Sequence, residues 1–277
     1  MKIALCNEVL QPLPFAQQCA LAAGLGYDAL EVAPFTLAAD PLTLTETRAR
    51  EFANIALDHG LAISGLHWLL VAPAGLSMVC ADAALRRRTS DALVHLVGLC
   101  AAMGGRYLVH GSPRQRSVPP GETKATALDR ARDCLARAAQ AAQAHGVTYC
   151  LEPLAPAETD LVNTVAEAVE LVDAIASPAF KTMVDCSAAG QAEAEPVADL
   201  IRRWWPSGKL AHVQVNDPNR QGPGQGAMRF APILAALQAV GYDGVLAVEP
   251  FDYRPDGPGC AARAIGYLRG LLEASDG

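Results

Sequence analysis

The sequence predicts an α/β fold, a closed (β/α)8 barrel forming a single domain over residues 1–277. Short apolar or β-branched runs alternate with long Ala- and Leu-rich stretches of helical period from one end to the other. The runs recur at near-regular intervals, as repeated strand–helix units require. With 277 residues and 51% hydrophobic content, the chain can also bury the core of one large α/β domain. Two small domains would fit the same length, yet no linker rich in Pro, Gly or Ser divides it. An open doubly wound sheet is the structural alternative, but no GxGxxG turn follows the first strand.

In order, the first strand is KIALC (2–6), followed by a helix near 13–25. ALEVA (29–33) precedes a helix near 45–59, and AISGLHW (62–68) one near 81–103. YLVHG (107–111) leads to a helix near 123–145, and TYCLEP (148–153) to one near 164–176. TMVDC (182–186), HVQVN (212–216) and GVLAVEP (244–250) complete the strands, with helices near 195–204, 229–240 and 258–273. That makes eight strand–helix units.

A net charge of −7 opposes binding to a phosphate backbone, so no nucleic-acid partner is expected and a small polar ligand is the default. Eight cysteines lie scattered without a CxxC pair, the usage of reduced thiols in a cytoplasmic protein. The opening MKIALCNE turns polar too soon for a secretory leader or a membrane span, so no membrane association is expected.

In such a barrel the active site forms at the carboxyl ends of the strands. There the sequence places Glu8, His67, His110, Glu152, Asp185, His212, Gln214, Asp217 and Glu249, where apolar residues would be ordinary. Glu152 in CLEPL and Glu249 in AVEPF each end an apolar strand just before a proline. The proline removes a backbone donor and holds the preceding residue extended, fixing the carboxylate where the strand stops. Strands 5 and 8 stand nearly opposite one another, so the two carboxylates can face each other across a bound molecule. Either one alone could instead cap or salt-bridge a loop. Asp185 brings a third carboxylate, a costly grouping unless a cation sits among them.

Oxygen ligands suit Mg²⁺ or Mn²⁺, and a nitrogen ligand would widen the choice to Zn²⁺ or Co²⁺. Strand 7 should supply a further ligand. His212 and Gln214 share one face of it, with Gln214 one layer nearer the mouth. His67 and His110, in the layer of the carboxylates, are candidates for contacting substrate, although a single histidine there could equally be a satisfied core residue.

These residues resemble the xylose isomerase-like TIM barrels, which include ketose 3-epimerases, inosose isomerases, hydroxypyruvate isomerase and the endonuclease IV group. The resemblance runs over nearly the whole chain through MKIALCNE, LEVAPF (30–35), LEPLAPAETDLVNT (151–164), MVDCSAAG (183–190), HVQVNDPNRQGPGQG (212–226) and AVEPF (247–251). It implies a divalent ion, Mn²⁺ or Mg²⁺, held by Glu152, Asp185, Gln214 and Glu249. Many relatives bind through a histidine where this chain has Gln214, and an amide oxygen there favours the harder ions over Zn²⁺. Glu158 and Arg220 are implied substrate contacts, with His212 beside them and the glycine-rich 212–226 segment as a rim.

Ketose 3-epimerases carry DxxH on strand 6, whereas Ala188 stands at that spacing after Asp185. An Arg-aromatic pair that usually precedes the Glu158 position is Pro156 and Ala157 here. Ala188 and Gln214 also remove two histidines that the endonuclease branch uses for its metals, so that branch fits poorly.

The implied activity is a sugar isomerase or epimerase acting on a small sugar or polyol-derived substrate. A proton next to a carbonyl is transferred through an enediolate, with Glu152 and Glu249 as acid and base. An inosose-type dehydratase or hydroxypyruvate isomerase would use similar parts, and a non-catalytic metal-binding barrel is the contrasting class. A Schiff-base lyase would need a lysine at a strand's carboxyl end, whereas Lys2, Lys181 and Lys209 open or precede their strands. Relatives are often dimers or tetramers, which sets a homodimer or homotetramer as the expectation.

Overall fold

Each apolar run becomes a parallel strand and each Ala/Leu-rich stretch a helix packed outside it. The computed structural model describes residues 1–275. The first half comprises β1 (Lys2–Cys6), α1 (Phe15–Leu25), β2 (Ala29–Val32), α2 (Glu46–Asp58), β3 (Ala62–Leu66), α3 (Ala83–Ala102), β4 (Tyr107–His110) and α4 (Lys124–His145). The second comprises β5 (Thr148–Leu151), α5 (Val165–Ile175), β6 (Phe180–Asp185), α6 (Cys186–Ala192), α7 (Val197–Trp204), β7 (Leu210–Val215), α8 (Phe230–Ala239), β8 (Val245–Val248) and α9 (Gly257–Ser275). The strands pair in chain order, and β8 returns to β1 to close the barrel. This is the (β/α)8 TIM barrel that the sequence predicts.

Helix starts follow local chemistry. Thr45, Asp82, Thr123 and Thr164 each accept a backbone N–H of the first turn, and Gly26 and Gly146 close α1 and α4 in left-handed geometry.

The strands carrying the site end earlier than their apolar pattern suggests. β3 stops at Leu66 because Trp68 adopts a left-handed backbone, φ 51°, which no strand can continue through. β5 and β8 stop at Leu151 and Val248, one residue before their glutamates. Glu152 and Glu249 still donate their N–H groups to His110 O and Val215 O, at 3.2 and 3.3 Å. The prolines that follow have no donor with which to extend the ladder. A short helix absent from the sequence reading, α6, begins directly after β6 because Asp185 caps it, its Oδ1 accepting Ala188 N–H at 2.7 Å.

The barrel interior departs from the usual Val, Ile and Leu filling. Glu31, Ser64, Tyr107, His212 and Gln214 lie buried inside it. Gly65 makes room for this polar layer, since a Cβ there would stand 2.5 Å from Tyr107 O and 2.6 Å from its ring. β2 and β3 also slip register at Leu30/Glu31, which lets Glu31 enter the interior.

Candidate active site at the carboxyl end of the barrel

Three carboxylates meet at the mouth. Glu152, Asp185 and Glu249 are buried, and each offers an oxygen within 4.8 Å of the others'. Burial pushes the pKa of each upward, and neighbouring carboxylates add to it: Glu249 and Asp185 act on Glu152, Asp185 and Glu8 on Glu249, and Glu158 on Asp185, with Asp185 reaching about 7 and Glu249 about 8. Three ionised carboxylates cannot share this space without positive charge between them.

Each is held by neighbours that leave an oxygen free or pin it in place. Glu249 Oε1 accepts Trp68 Nε1–H at 2.8 Å and lies 2.9 Å from His67 Nδ1, while Oε2 is buried with no protein partner. Asp185 Oδ2 accepts Asn216 Nδ2–H at 2.7 Å, and the same amide reaches Glu249 O at 3.1 Å. Asn216 therefore ties β6 to β8. Glu152 rests against Gly111, where any Cβ would lie 1.8 Å from its Oε2.

A cavity of about 540 Å³ opens above this floor, lined by Glu152, Glu249, Glu158, Arg220, Trp68 and Phe251 among others. A smaller one of about 250 Å³ shares Glu152, Glu158 and Arg220 with it and reaches Asp185 and Ala188. The larger volume suits a small molecule. Arg220 takes a left-handed backbone, φ 71°, and its guanidinium lies 5.1 Å over the Phe251 ring. Of the four non-glycine residues in that region among the described residues, Trp68 and Arg220 line the larger cavity, where such strain commonly marks function.

The histidines are placed differently from the carboxylates. His67 is fully buried, with Nε2 2.9 Å from Glu8 Oε2 and Nδ1 on Glu249, so both nitrogens are engaged. Burial alone would lower its pKa, but Glu8, Glu249 and Glu31 outweigh that and raise it well above the ordinary value. It braces Glu249 Oε1 from behind. His110 is buried with Nδ1 2.5 Å from Tyr149 Oη, and burial together with the nearby Arg116 charge lowers its pKa to about 3. His212 stacks on Tyr107 at 4.0 Å, with Nε2 2.9 Å from Glu31 Oε2. None of the three is among the cavity-lining residues, whereas Glu152, Glu158, Arg220 and Glu249 are.

Gln214 pairs across from Asp185 on β6 and Ala247 on β8. Its Nε2 donates to Glu31 Oε1 at 2.8 Å, and its Oε1 is buried without a partner. Clustered carboxylates short of positive charge and an unpartnered buried amide oxygen fit a hard divalent cation. Glu152, Asp185, Glu249 and Gln214 are the residues that could hold one.

The sequence reading does not single out Glu31, Trp68, Asn216 or Arg116 as part of the site. Glu31 is a lone charge in an otherwise apolar strand, and Asn216 continues the alternate positions of His212 and Gln214. Trp68 directly follows His67 in the sequence. Arg116, on the loop after β4, gives no local signal, yet it is buried where the charges of Glu152 and Glu158 act on it.

Comparison with known proteins agrees with this fold. A D-psicose 3-epimerase of Ruminiclostridium cellulolyticum is 32% identical over 123 residues, covering 44% of this chain and 41% of that protein. An L-ribulose 3-epimerase of Mesorhizobium japonicum is 31% identical over 208 residues, covering 73% of this chain and 65% of that protein. Both matches span less than two thirds of the relative's length. A solved L-ribulose 3-epimerase shares the fold at a TM-score of 0.85 and 24% identity, over 100% of this chain and 96% of the other. Residues 19–271 match the family model of the xylose isomerase-like TIM barrel. With a closed eight-stranded barrel bearing its acidic cluster at the carboxyl end, the chain belongs to the xylose isomerase-like TIM barrel family.

Proposed function

We propose that the protein is a divalent-metal-dependent sugar epimerase that moves a proton at the carbon next to a ketose carbonyl. The observation that carries this reading is the pair Glu152 and Glu249, buried at the ends of β5 and β8 with oxygens within 4.8 Å and flooring one cavity. The epimerase names of the relatives support the same class of reaction. The ion, Mn²⁺ or Mg²⁺, would be held by Glu152, Asp185, Gln214 and Glu249, and when bound it supplies Lewis-acid stabilisation of the charge that develops on the substrate oxygens.

The chain's own residues do the rest. One glutamate accepts the proton from carbon, and the C–H electron pair passes into the enediolate. The other glutamate, facing the opposite side of that planar species, returns a proton to the same carbon and inverts it. His67 and Trp68 hold Glu249 Oε1, leaving Oε2 for proton exchange. Glu158 and Arg220, on the cavity wall, would bind substrate hydroxyls, and Phe251 and Trp68 would cover the apolar face of the sugar and exclude water. Eight free cysteines support action in a reducing compartment such as the cytoplasm.

The test is a Mn²⁺-supplemented panel of ketoses, aldoses, inososes and hydroxypyruvate in D₂O followed by NMR. Deuterium should enter at the carbon beside the carbonyl of a ketose with inversion there. Glu152→Gln and Glu249→Gln should each abolish exchange in a folded protein. If no member of the panel exchanges, or if the Gln variants exchange normally, the reading fails.

A further inference from the structure

We infer that Glu31 is a positioning residue for the candidate metal centre, orienting the Gln214 amide so that a neutral oxygen completes the carboxylate donor set. The inference rests on the metal-dependent reading above. It starts from an ambiguity built into glutamine, whose side chain ends in a donor and an acceptor of nearly the same shape. Gln214 can serve a cation only if its NH₂ is turned away.

Glu31 removes the ambiguity. Its Oε1 stands 2.8 Å from Gln214 Nε2, and a carboxylate oxygen at that distance accepts from an NH₂ but repels a carbonyl oxygen. Its other oxygen is already committed, accepting the Tyr107 hydroxyl at 2.6 Å with His212 Nε2 at 2.9 Å. Cys6 Sγ lies 3.7 Å from Oε1. Glu31 is thus ringed by donors and fully buried, with no freedom to turn from Gln214. Tyr107 is itself steadied by a 3.0 Å hydrogen bond to Ser64 Oγ and by stacking on His212.

The consequence is read at the far end of the amide. Gln214 Oε1 is buried and makes no hydrogen bond, an arrangement that leaves a polar atom unsatisfied unless a cation meets it. A buried carboxylate that accepts from Gln214, Tyr107 and Cys6 is a demanding feature to build inside a barrel, and Gly65 is kept free of a side chain so that Tyr107 can reach it. His212, from the same strand face as Gln214, is drawn to Glu31 rather than to the carboxylate cluster. Glu31 therefore also settles which of the two strand residues is left to face the ion.

The test is calorimetric titration of Mn²⁺ into the metal-stripped full chain, as wild type, Glu31→Gln, Gln214→Ala and the double variant. Melting in EDTA establishes that each is folded. Removing an orienting partner typically weakens a metal site by roughly 10- to 100-fold, and Glu31→Gln should do so here, since a neutral amide at 31 can face either end of Gln214. If Glu31 acts through Gln214, that loss disappears in the Gln214→Ala background, so the double variant binds no more weakly than Gln214→Ala alone. Additive losses, or Mn²⁺ binding unchanged in Glu31→Gln, would overturn the inference while leaving the metal reading intact. Absence of Mn²⁺ binding by the wild type would overturn both. Should Glu31→Gln not fold, Glu31→Asp carries the same cycle, because it keeps the charge but shortens the reach to Nε2.

Discussion

At the scale of single residues, the site depends on contacts that admit no extra atom. Gly111 is the clearest case, since a Cβ would fall 1.8 Å from Glu152 Oε2 and force the carboxylate aside. Misplacing a reacting group by about 1 Å costs roughly a hundredfold in rate, so Gly111→Ala should lower turnover by about that factor with little change in stability. Steady-state kinetics beside a melting curve would separate the two, and full activity would show that Glu152 has room to move. His110 provides a pH signature. Its pKa falls from 6.5 to about 3 because burial and then the Arg116 charge disfavour the imidazolium. Above pH 6.5 the group is neutral folded or unfolded and contributes nothing. Below it the unfolded chain takes up a proton that the folded one resists, so stability falls by up to about 1.4 kcal/mol per pH unit toward pH 3. His110→Gln should therefore melt with a shallower pH dependence between about pH 6 and pH 4.5. Parallel curves would assign the acid sensitivity to other groups.

At the scale of elements, neighbouring strand ends are tied together by side chains rather than by the ladder alone. Asn216, just past β7, donates to Asp185 at the end of β6 and to Glu249 O after β8, and its Oδ1 accepts Ser187 N–H at 2.8 Å in the first turn of α6. Truncation to Ala would leave a buried backbone N–H and a carboxylate oxygen without these partners. Asn216→Ala should cost about 2 kcal/mol, measured by urea unfolding, and should also weaken Mn²⁺ binding as Asp185 loses its orientation. Loss of stability with unchanged Mn²⁺ affinity would confine Asn216 to a structural role. The same local physics explains which elements the sequence reveals. Every strand and the eight helices that follow the β/α rhythm are legible in the alternation of apolar runs and Ala/Leu-rich stretches. The short α6 is not, because it is seven residues long and rests on a cap supplied by Asp185, whose acidity reads equally well as chemistry. The end of β3 is hidden too, since Trp68 is a good strand former on propensity and takes its left-handed backbone only among Phe35, Phe251 and Glu249.

For the whole molecule, a cation bound among the carboxylates at the mouth would link stability to metal occupancy. A ligand that binds only the folded state stabilises it by about 2.7 kcal/mol at a hundred times its dissociation constant. Saturating Mn²⁺ should therefore raise the melting temperature by several degrees over the EDTA-treated protein, and Glu152→Gln or Asp185→Asn should shrink that rise. A melting temperature indifferent to Mn²⁺ would contradict a cation at this centre. Among the described residues, no helix is long and apolar enough to cross a membrane.

The sequence by itself determined the barrel, because hydrophobic period and strand–helix rhythm are local properties that survive in one dimension. It also located the acidic residues at strand ends, since Glu-Pro at the close of an apolar run is a local signal, and the structure brings Glu152, Asp185 and Glu249 within reach of one another. Only the tertiary structure decided what each polar residue faces. Residues as far apart in sequence as Glu31 and Gln214, or Trp68 and Glu249, meet because the barrel closes, and the hydrogen bonds they form there divide line residues from bracing ones. His67, His110 and His212, which the sequence offers as candidates for contacting substrate, lie buried with ring nitrogens beside Glu8, Tyr149 and Glu31. A buried polar group takes the partner that satisfies it, and that partner is fixed by packing across the barrel rather than by position along the chain.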